Sequence, residues 1–286
     1  MALAIRTSGS VQNPVFGNTR MTLVFYTFAM KKFTVIARPD PESERLKKEL
    51  IQRLNGKDHV LDEEHPEIVF VVGGDGTFLY AIHYYLEQLD HVQFYGIHTG
   101  TLGFYTDYHD GEFKLFLNAY LNGSCWEKDY PMLRADTDLG TYYGVNEIRV
   151  ENAARTQDMN VIINGRKFEE FRGTGLCIST QLGSTAYNRS LGGAVIQDGL
   201  DLIQMSEIGG IHHNKYRSLG ASFVMKRETE IRLESHSFTG ALLGADSEVF
   251  SMDAMHEVKI AVSDHKKVRM LKSRDISYFD RLQSLF

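Results

Sequence analysis

Cysteine is nearly missing from this chain: Cys125 and Cys177 are the only two in 286 residues. Two thiols so far apart exclude a disulfide framework and a cysteine-built zinc cluster, and they fit a reducing cytosol. An excess of positive charge is missing too. Lys and Arg number 31 against 37 Asp and Glu, a formal net charge of −6. That excludes the electrostatic footprint of a protein that binds duplex DNA or an anionic membrane. No apolar run approaches the ~20 residues that span a bilayer. The nearest is MTLVFYTFAM, Met21 to Met30, which has the apolar character of a signal-peptide core. No small-residue cleavage pattern follows it, and Lys31 and Lys32 lead straight into strand-like FTVIA. Residues 1–29 are therefore expected to be an extension of the core domain, disordered or not, with Met30 a candidate start.

The hydrophobic fraction is 43%, ordinary for a chain that buries a core. A length of 286 residues suits one large domain or two modest ones. Residues 33–37, FTVIA, read as a buried strand. Asp40 as N-cap and Pro41 in the first turn then open a helix with Leu46, Leu50, Ile51 and Leu54 on one face, ended by Gly56. Residues 68–72, IVFVV, are apolar throughout, as in a parallel strand covered on both faces. A helix follows, with Leu79, Ile82, Leu86 and Leu89 at helical spacing, then a strand at 93–97, a glycine-rich stretch HTGTLGF at 98–104, and a helix carrying Phe113, Phe116 and Tyr120. Strand alternating with helix over 30–124 predicts a doubly wound α/β domain with a mostly parallel sheet.

Beyond about Trp126 the pattern changes to strands, expected at 141–151, 157–163, 167–171, 229–235, 257–263 and 267–272. Asn164-Gly165 is a hairpin turn signal, because a tight primed turn needs positive φ. One helix is expected around 198–207. The segment 125–275 thus reads as a β-rich domain, and 276–286 as an amphipathic tail that packs back on the α/β domain.

The chemistry-bearing element is GGDGT, 73–77, between the buried strand and the next helix. Open α/β sheets bind ligands at that junction. Glycines let the backbone approach a phosphate, and the free amides of the helix start favour anionic oxygens. Asp75 is the informative residue, because phosphate repels a neighbouring carboxylate. It can accept a proton from an attacking hydroxyl, or help hold a magnesium ion. Otherwise it merely caps the helix. The G-x-G-x-x-G fingerprint is absent here, which argues against an ordinary Rossmann dehydrogenase.

GGDGT resembles the signature shared by NAD kinases, diacylglycerol and sphingosine kinases and bacterial-type phosphofructokinases. Three further segments resemble NAD kinases specifically: GIHTGTLGFYTD (96–107), VNEIRVE (145–151) and FRGTGLCISTQLGSTAYNRSLGGAV (171–195). The likeness covers most of residues 30–275 and looks closest to the shorter bacterial enzymes. It implies an active site between the two domains and a cytoplasmic homo-oligomer, a tetramer or dimer. It also implies transfer of phosphate from ATP, or polyphosphate, with Mg²⁺ to the 2′-hydroxyl of the adenosine ribose of NAD. Residue by residue, Asp75 matches the base for that hydroxyl. Gly73, Gly74, Gly76 and Thr77 match the phosphate-contacting turn, and Asn146 and Glu147 the residues that hold ribose hydroxyls. Thr185, Ala186 and Tyr187 match substrate contacts, Phe104 the wall beside the adenine, and Asp246 an acid near the nicotinamide-side ribose. No structural metal is expected.

The chain departs from the family pattern at three places. Thr174 stands where the family usually has the Asp of FRGDG, so the side chain can still accept a hydrogen bond from a substrate nitrogen but carries no charge. Gln181-Leu182 replaces Pro-Thr or Pro-Ser, and His212-His213-Asn214 replaces Asn-Asn-Arg. Two other readings compete. A diacylglycerol-type lipid kinase would share GGDGT but leaves GSTAY unexplained. A non-catalytic dinucleotide sensor would fit the departures but not the retention of Asp75.

Overall fold

The computed structural model describes residues 30–56, 58–212 and 217–285. The expected 1–29 extension, and His213 and Asn214, lie outside the described residues. The first half runs β1 (Lys31–Ala37), α1 (Pro41–Leu54), β2 (His59–Leu61), β3 (Ile68–Val72), α2 (Asp75–Tyr84), β4 (Gln93–His98), β5 (Tyr108–His109) and α3 (Phe113–Leu121). Asp40 caps α1 as expected, its carboxylate accepting from the amides of Glu42 and Ser43.

Strands β2, β1, β3 and β4 lie side by side and parallel. β3 shows why its sequence lacks alternation. Val69 and Val71 pack with Phe78, Ala81 and Ile82 of α2, while Ile68, Phe70 and Val72 pack with α1 and α3 on the opposite face. Helices therefore cover both faces, and the first half is a doubly wound α/β unit.

The second half contains β6 (Trp126–Thr137), β7 (Gly140–Gly144), β8 (Glu147–Glu151), β9 (Gln157–Ile163), β10 (Arg166–Gly173), β11 (Gly175–Thr180), α4 (Tyr187–Ser190), β12 (Leu202–Ile208), β13 (Phe223–Lys226), β14 (Ile231–Glu234), β15 (Leu242–Ala245), β16 (Glu248–Ser251), β17 (Glu257–Lys272) and α5 (Tyr278–Gln283). Its six-stranded sheet has the order β13-β12-β11-β8-β15-β16. Ile148, Val150, Leu176, Ile178 and Leu243 of that sheet pack against Val161, Ile231, Leu233, Val258 and Ile260 of the other. The hairpin at Asn164-Gly165 has φ of 48° and 75°, as the sequence implied.

β17 joins the halves. It pairs antiparallel with β6 and β14, and its end pairs parallel with β4 through Arg269 and Met270. The parallel strands and half of the β-rich region thus form one 11-stranded sheet. The sequence suggested two strands, 257–263 and 267–272. They are one, with a register shift between Val262 and Lys267 where the Ser263 hydroxyl accepts from the amides of His265 and Lys266.

Two other expectations are corrected. No helix spans 198–207: residues 202–208 form β12, paired between β11 and β13. Gln204 and Ser206 resemble polar positions on a helix surface but are fully buried, bonded to Ala194 and Asn188. A short apolar run with satisfied polar residues fits strand and helix alike. The single strand expected at 141–151 is broken at Val145 and Asn146, because a carboxylate from another strand pair captures the backbone there.

Candidate active site

The turn after β3 requires glycine at its first position. Gly73 has φ of 154°, and a Cβ there would sit 2.4 Å from the Thr77 hydroxyl oxygen. α2 begins at Asp75 with Gly74 as N-cap and no side-chain capping bond. Asp75 therefore does not cap its own helix. Its carboxylate crosses to the second glycine-rich segment and accepts from the amides of Phe104 (3.0 Å) and Tyr105 (3.3 Å). Gly103 makes that approach possible, because a Cβ there would lie 2.0 Å from Asp75 Oδ1. Burial raises the Asp75 pKa above the usual carboxylate value. The two amide bonds and the charges of Arg281 and Lys272 oppose the rise without cancelling it. A carboxyl shifted that way is suited to accept a proton.

Tyr105 links this carboxylate to the second half. Its hydroxyl donates to Asn146 Oδ1 at 2.8 Å. Burial pushes the Tyr105 pKa far up, so it remains a donor. The Asn146 amide nitrogen has no partner among the described residues and is available to a ligand. Next to it, Glu147 is buried, with Oε1 accepting from Arg149 at 3.2 Å and Oε2 without a partner. Burial, then the nearby Asp246 charge, push its pKa up to about 7, against the pull of Arg149. Near neutrality this carboxyl can donate to a ribose hydroxyl or accept from one.

The raised value fixes a sign for stability. A carboxyl whose pKa rises on folding contributes stability that is present at low pH and lost as pH climbs from the unfolded value through about 7. Glu147→Gln is expected to gain stability relative to the parent between pH 5 and 8, by on the order of 2–3 kcal/mol. Parallel melting-temperature curves for the two proteins over that range would contradict this.

Asp246 shapes the loop. It sits at the β15–β16 turn with φ of 52°. Its carboxylate accepts from the amides of Val145 (2.8 Å), Asn146 (2.7 Å) and Glu147 (3.1 Å), and pairs with His83 Nε2 at 2.8 Å. This is the capture that ends β7 and starts β8. Asp246 thus meets protein on both oxygens, and what it offers the site is the conformation of 145–147. His83 reads in the sequence as a residue on a helix face. From that face of α2 its side chain, 5% exposed, reaches the 246–248 turn, with Nδ1 3.3 Å from Glu248. Burial disfavours its charged form, but Asp246 and Glu248 outweigh that and its pKa is raised.

The long glycine segment packs onto the same loop. A Cβ on Gly183 would be 1.9 Å from the Asn146 carbonyl oxygen, and the Thr180 hydroxyl donates to the Val145 carbonyl at 2.7 Å. The amide of Ala186 bonds back to the Gly183 carbonyl, and the Tyr187 ring lies under the Arg149 guanidinium at 5.3 Å. Thr185 and the buried Phe104 line a cavity of about 130 Å³ with Tyr130, Lys128, Tyr278 and Arg281.

Thr174 stands apart from this cluster. It precedes β11 at the end where Gly175 pairs with Glu151, four residues along the ladder from Glu147, or roughly 13 Å of strand. The departure at Gln181 is accommodated structurally. Its amide nitrogen donates to Asp198, and its oxygen accepts from the Gly199 amide. Several participants had little or no signal in the sequence. Arg149 could have been found, since period-2 spacing sets it on the Glu147 face of β8. Tyr105, Gly103, Lys272 and Arg281 could not, because their roles depend on contacts across the fold.

The chain is similar to known proteins along nearly its whole length. Residues 145–272 match the ATP-NAD kinase C-terminal domain family. The NAD kinase of Streptococcus pneumoniae (strain 70585) is 36% identical over 262 residues, covering 90% of this chain and 96% of that protein. The NAD kinase of strain Hungary19A-6 is 35% identical over the same span. Among solved structures, yeast NADH kinase complexed with NADH superposes with a TM-score of 0.77 at 16% identity, covering 91% of this chain and 88% of that one. The NAD kinase from Archaeoglobus fulgidus in complex with ATP does so with a TM-score of 0.72 at 22% identity, covering 88% and 99%. The fold is that of these kinases, and at this identity and coverage the chain is an enzyme of the NAD kinase family.

Proposed function

We propose that this enzyme transfers the γ-phosphoryl group of ATP to the 2′-hydroxyl of the adenosine ribose of NAD, giving NADP and ADP. The observation that carries the reading is Asp75, anchored by the Phe104 and Tyr105 amides and linked through Tyr105 to Asn146. The Streptococcus relatives are NAD kinases, and the Archaeoglobus relative holds ATP, which supports the same substrates here.

The ribose presents vicinal hydroxyls to Asn146 and Glu147. Asp75 accepts the proton of the 2′-hydroxyl as its oxygen bonds to the γ-phosphorus. The bond from that phosphorus to the β–γ bridging oxygen breaks, and ADP leaves with the electron pair. Gly73, Gly74, Gly76 and Thr77 give the phosphates a close backbone approach at the start of α2. Phe104, Thr185, Ala186 and Tyr187 border the dinucleotide, and Thr174 meets a more distant part of it. Mg²⁺ enters as part of the nucleotide substrate, with phosphate oxygens and water among its ligands. Among the described residues no group of three His, Cys, Asp or Glu side chains is placed to hold an ion by itself. We further propose that the enzyme is a cytoplasmic homo-oligomer, a dimer or tetramer.

The test is NADP formation by the purified protein from NAD, with MgATP and with Mg-polyphosphate in parallel. NADP with MgATP is the expected result. NAD binding without turnover from either donor would replace this reading with that of a dinucleotide sensor.

A further inference from the structure

The C-terminal segment reaches into the loop that holds Asp75. The one buried residue of α5 is not apolar but an arginine, Arg281, 7% exposed. Its Nη1 donates to the carbonyls of Gly103 (2.9 Å) and Thr106 (2.6 Å), and its Nη2 to the Asp107 carboxylate. One helical turn on, the Ser284 hydroxyl donates to the Leu102 carbonyl at 2.8 Å. Lys272, the last residue of β17, donates to the Tyr105 carbonyl and to Asp107, both at 3.0 Å. The carbonyls of 102, 103, 105 and 106 are thus all held by side chains from beyond residue 271.

The Gly103 carbonyl and the Phe104 amide belong to one peptide group, which is planar and trans. Arg281 grips its oxygen while Asp75 accepts from its N–H. Rotation of that peptide would break both bonds at once. A cation on the oxygen also polarises the group and strengthens the N–H as a donor.

We propose that Arg281 is a positioning residue for phosphoryl transfer, fixing the orientation of Asp75 through the Gly103–Phe104 peptide and strengthening the hydrogen bond Asp75 receives. This rests on the reading of Asp75 as the base. Neutralising Asp107 does not by itself require Arg281, since Lys272 also meets that carboxylate.

The groups that act on Asp75 separate in pH. Lys272 is pulled by burial down to about 8 and so affects only the alkaline side. Glu147, across Tyr105 and Asn146, lies at about 7 and is common to every variant compared. A shift of the acid limb between Arg281 variants therefore reports on Asp75.

The experiment uses the full chain with Arg281→Met, Arg281→Lys and Asp75→Asn, measuring kcat, KM for NAD and the pH profile of kcat. Arg281→Met is expected to lower kcat roughly ten- to a hundredfold, with KM for NAD within about twofold. Its acid limb should move to higher pH, because the charge of Arg281 holds the Asp75 pKa down. Arg281→Lys keeps the charge but not the fork, so its acid limb should stay at the parental position while kcat recovers only partly. Folded Arg281→Met with parental kcat, or with a parental acid limb, would overturn the inference. If Arg281→Met does not fold, Arg281→Lys decides: reduced kcat supports the peptide link and parental kcat overturns it. Full turnover by Asp75→Asn would instead remove the base reading. An inactive Asp75→Asn beside a fully active Arg281→Met would remove only the role of Arg281.

Discussion

Asp75→Asn is expected to lower turnover by on the order of 10²- to 10⁴-fold while leaving NAD affinity within a few-fold. Asn has the size of Asp and can still accept one hydrogen bond from the Phe104 or Tyr105 amide. It cannot take a proton from the ribose hydroxyl. A group that acts only in the transition state lowers kcat and kcat/KM together when it is lost. Single-turnover NADP formation with calorimetric NAD binding separates the two quantities. A variant that binds NAD normally and turns over at the parental rate would take Asp75 out of the chemistry.

The second large effect is structural. Asp246→Asn should lower stability by about 2–4 kcal/mol and turnover with it. Three backbone amides and His83 converge on that carboxylate. An amide side chain replaces one acceptor oxygen with a donor, which then faces either Val145 N–H and His83 or the amides of Asn146 and Glu147. The expected fall in melting temperature is roughly 5–15 °C for a chain of this size, read by thermal denaturation. His83→Gln, which can still donate to Asp246, should lose less. Equal melting temperatures for Asp246→Asn and the parent would show that the 145–147 loop holds without the carboxylate.

Much of the site was legible in the sequence because it is local. GGDGT follows a strand apolar at every position and precedes a periodic helix, and local sterics alone require glycine at Gly73. Asn146-Glu147 and the Gly183–Tyr187 run were found as segments resembling known kinases, and the fold brings them together at one loop. The errors also have physical causes. β12 mixes polar with apolar side chains, a pattern that fits helix and strand alike, and the partners of Gln204 and Ser206 are supplied only by the folded chain. The break in the 141–151 strand was invisible because Asp246, which causes it, lies about a hundred residues away. The arginine in the tail gave no signal, since nothing near Arg281 in sequence shows that it ends on the carbonyls of 103 and 106.

The sequence by itself determined the class of fold, the glycine turn after β3 and the carboxylate within it, because strand apolarity, helix periodicity and glycine sterics act between near neighbours. Only the tertiary structure decided what holds that carboxylate. Burial alone would drive Asp75 toward its protonated form, and the amides, arginine and lysine that oppose this come from three distant segments. Their charges and donors act through space, over distances that no spacing along the chain encodes.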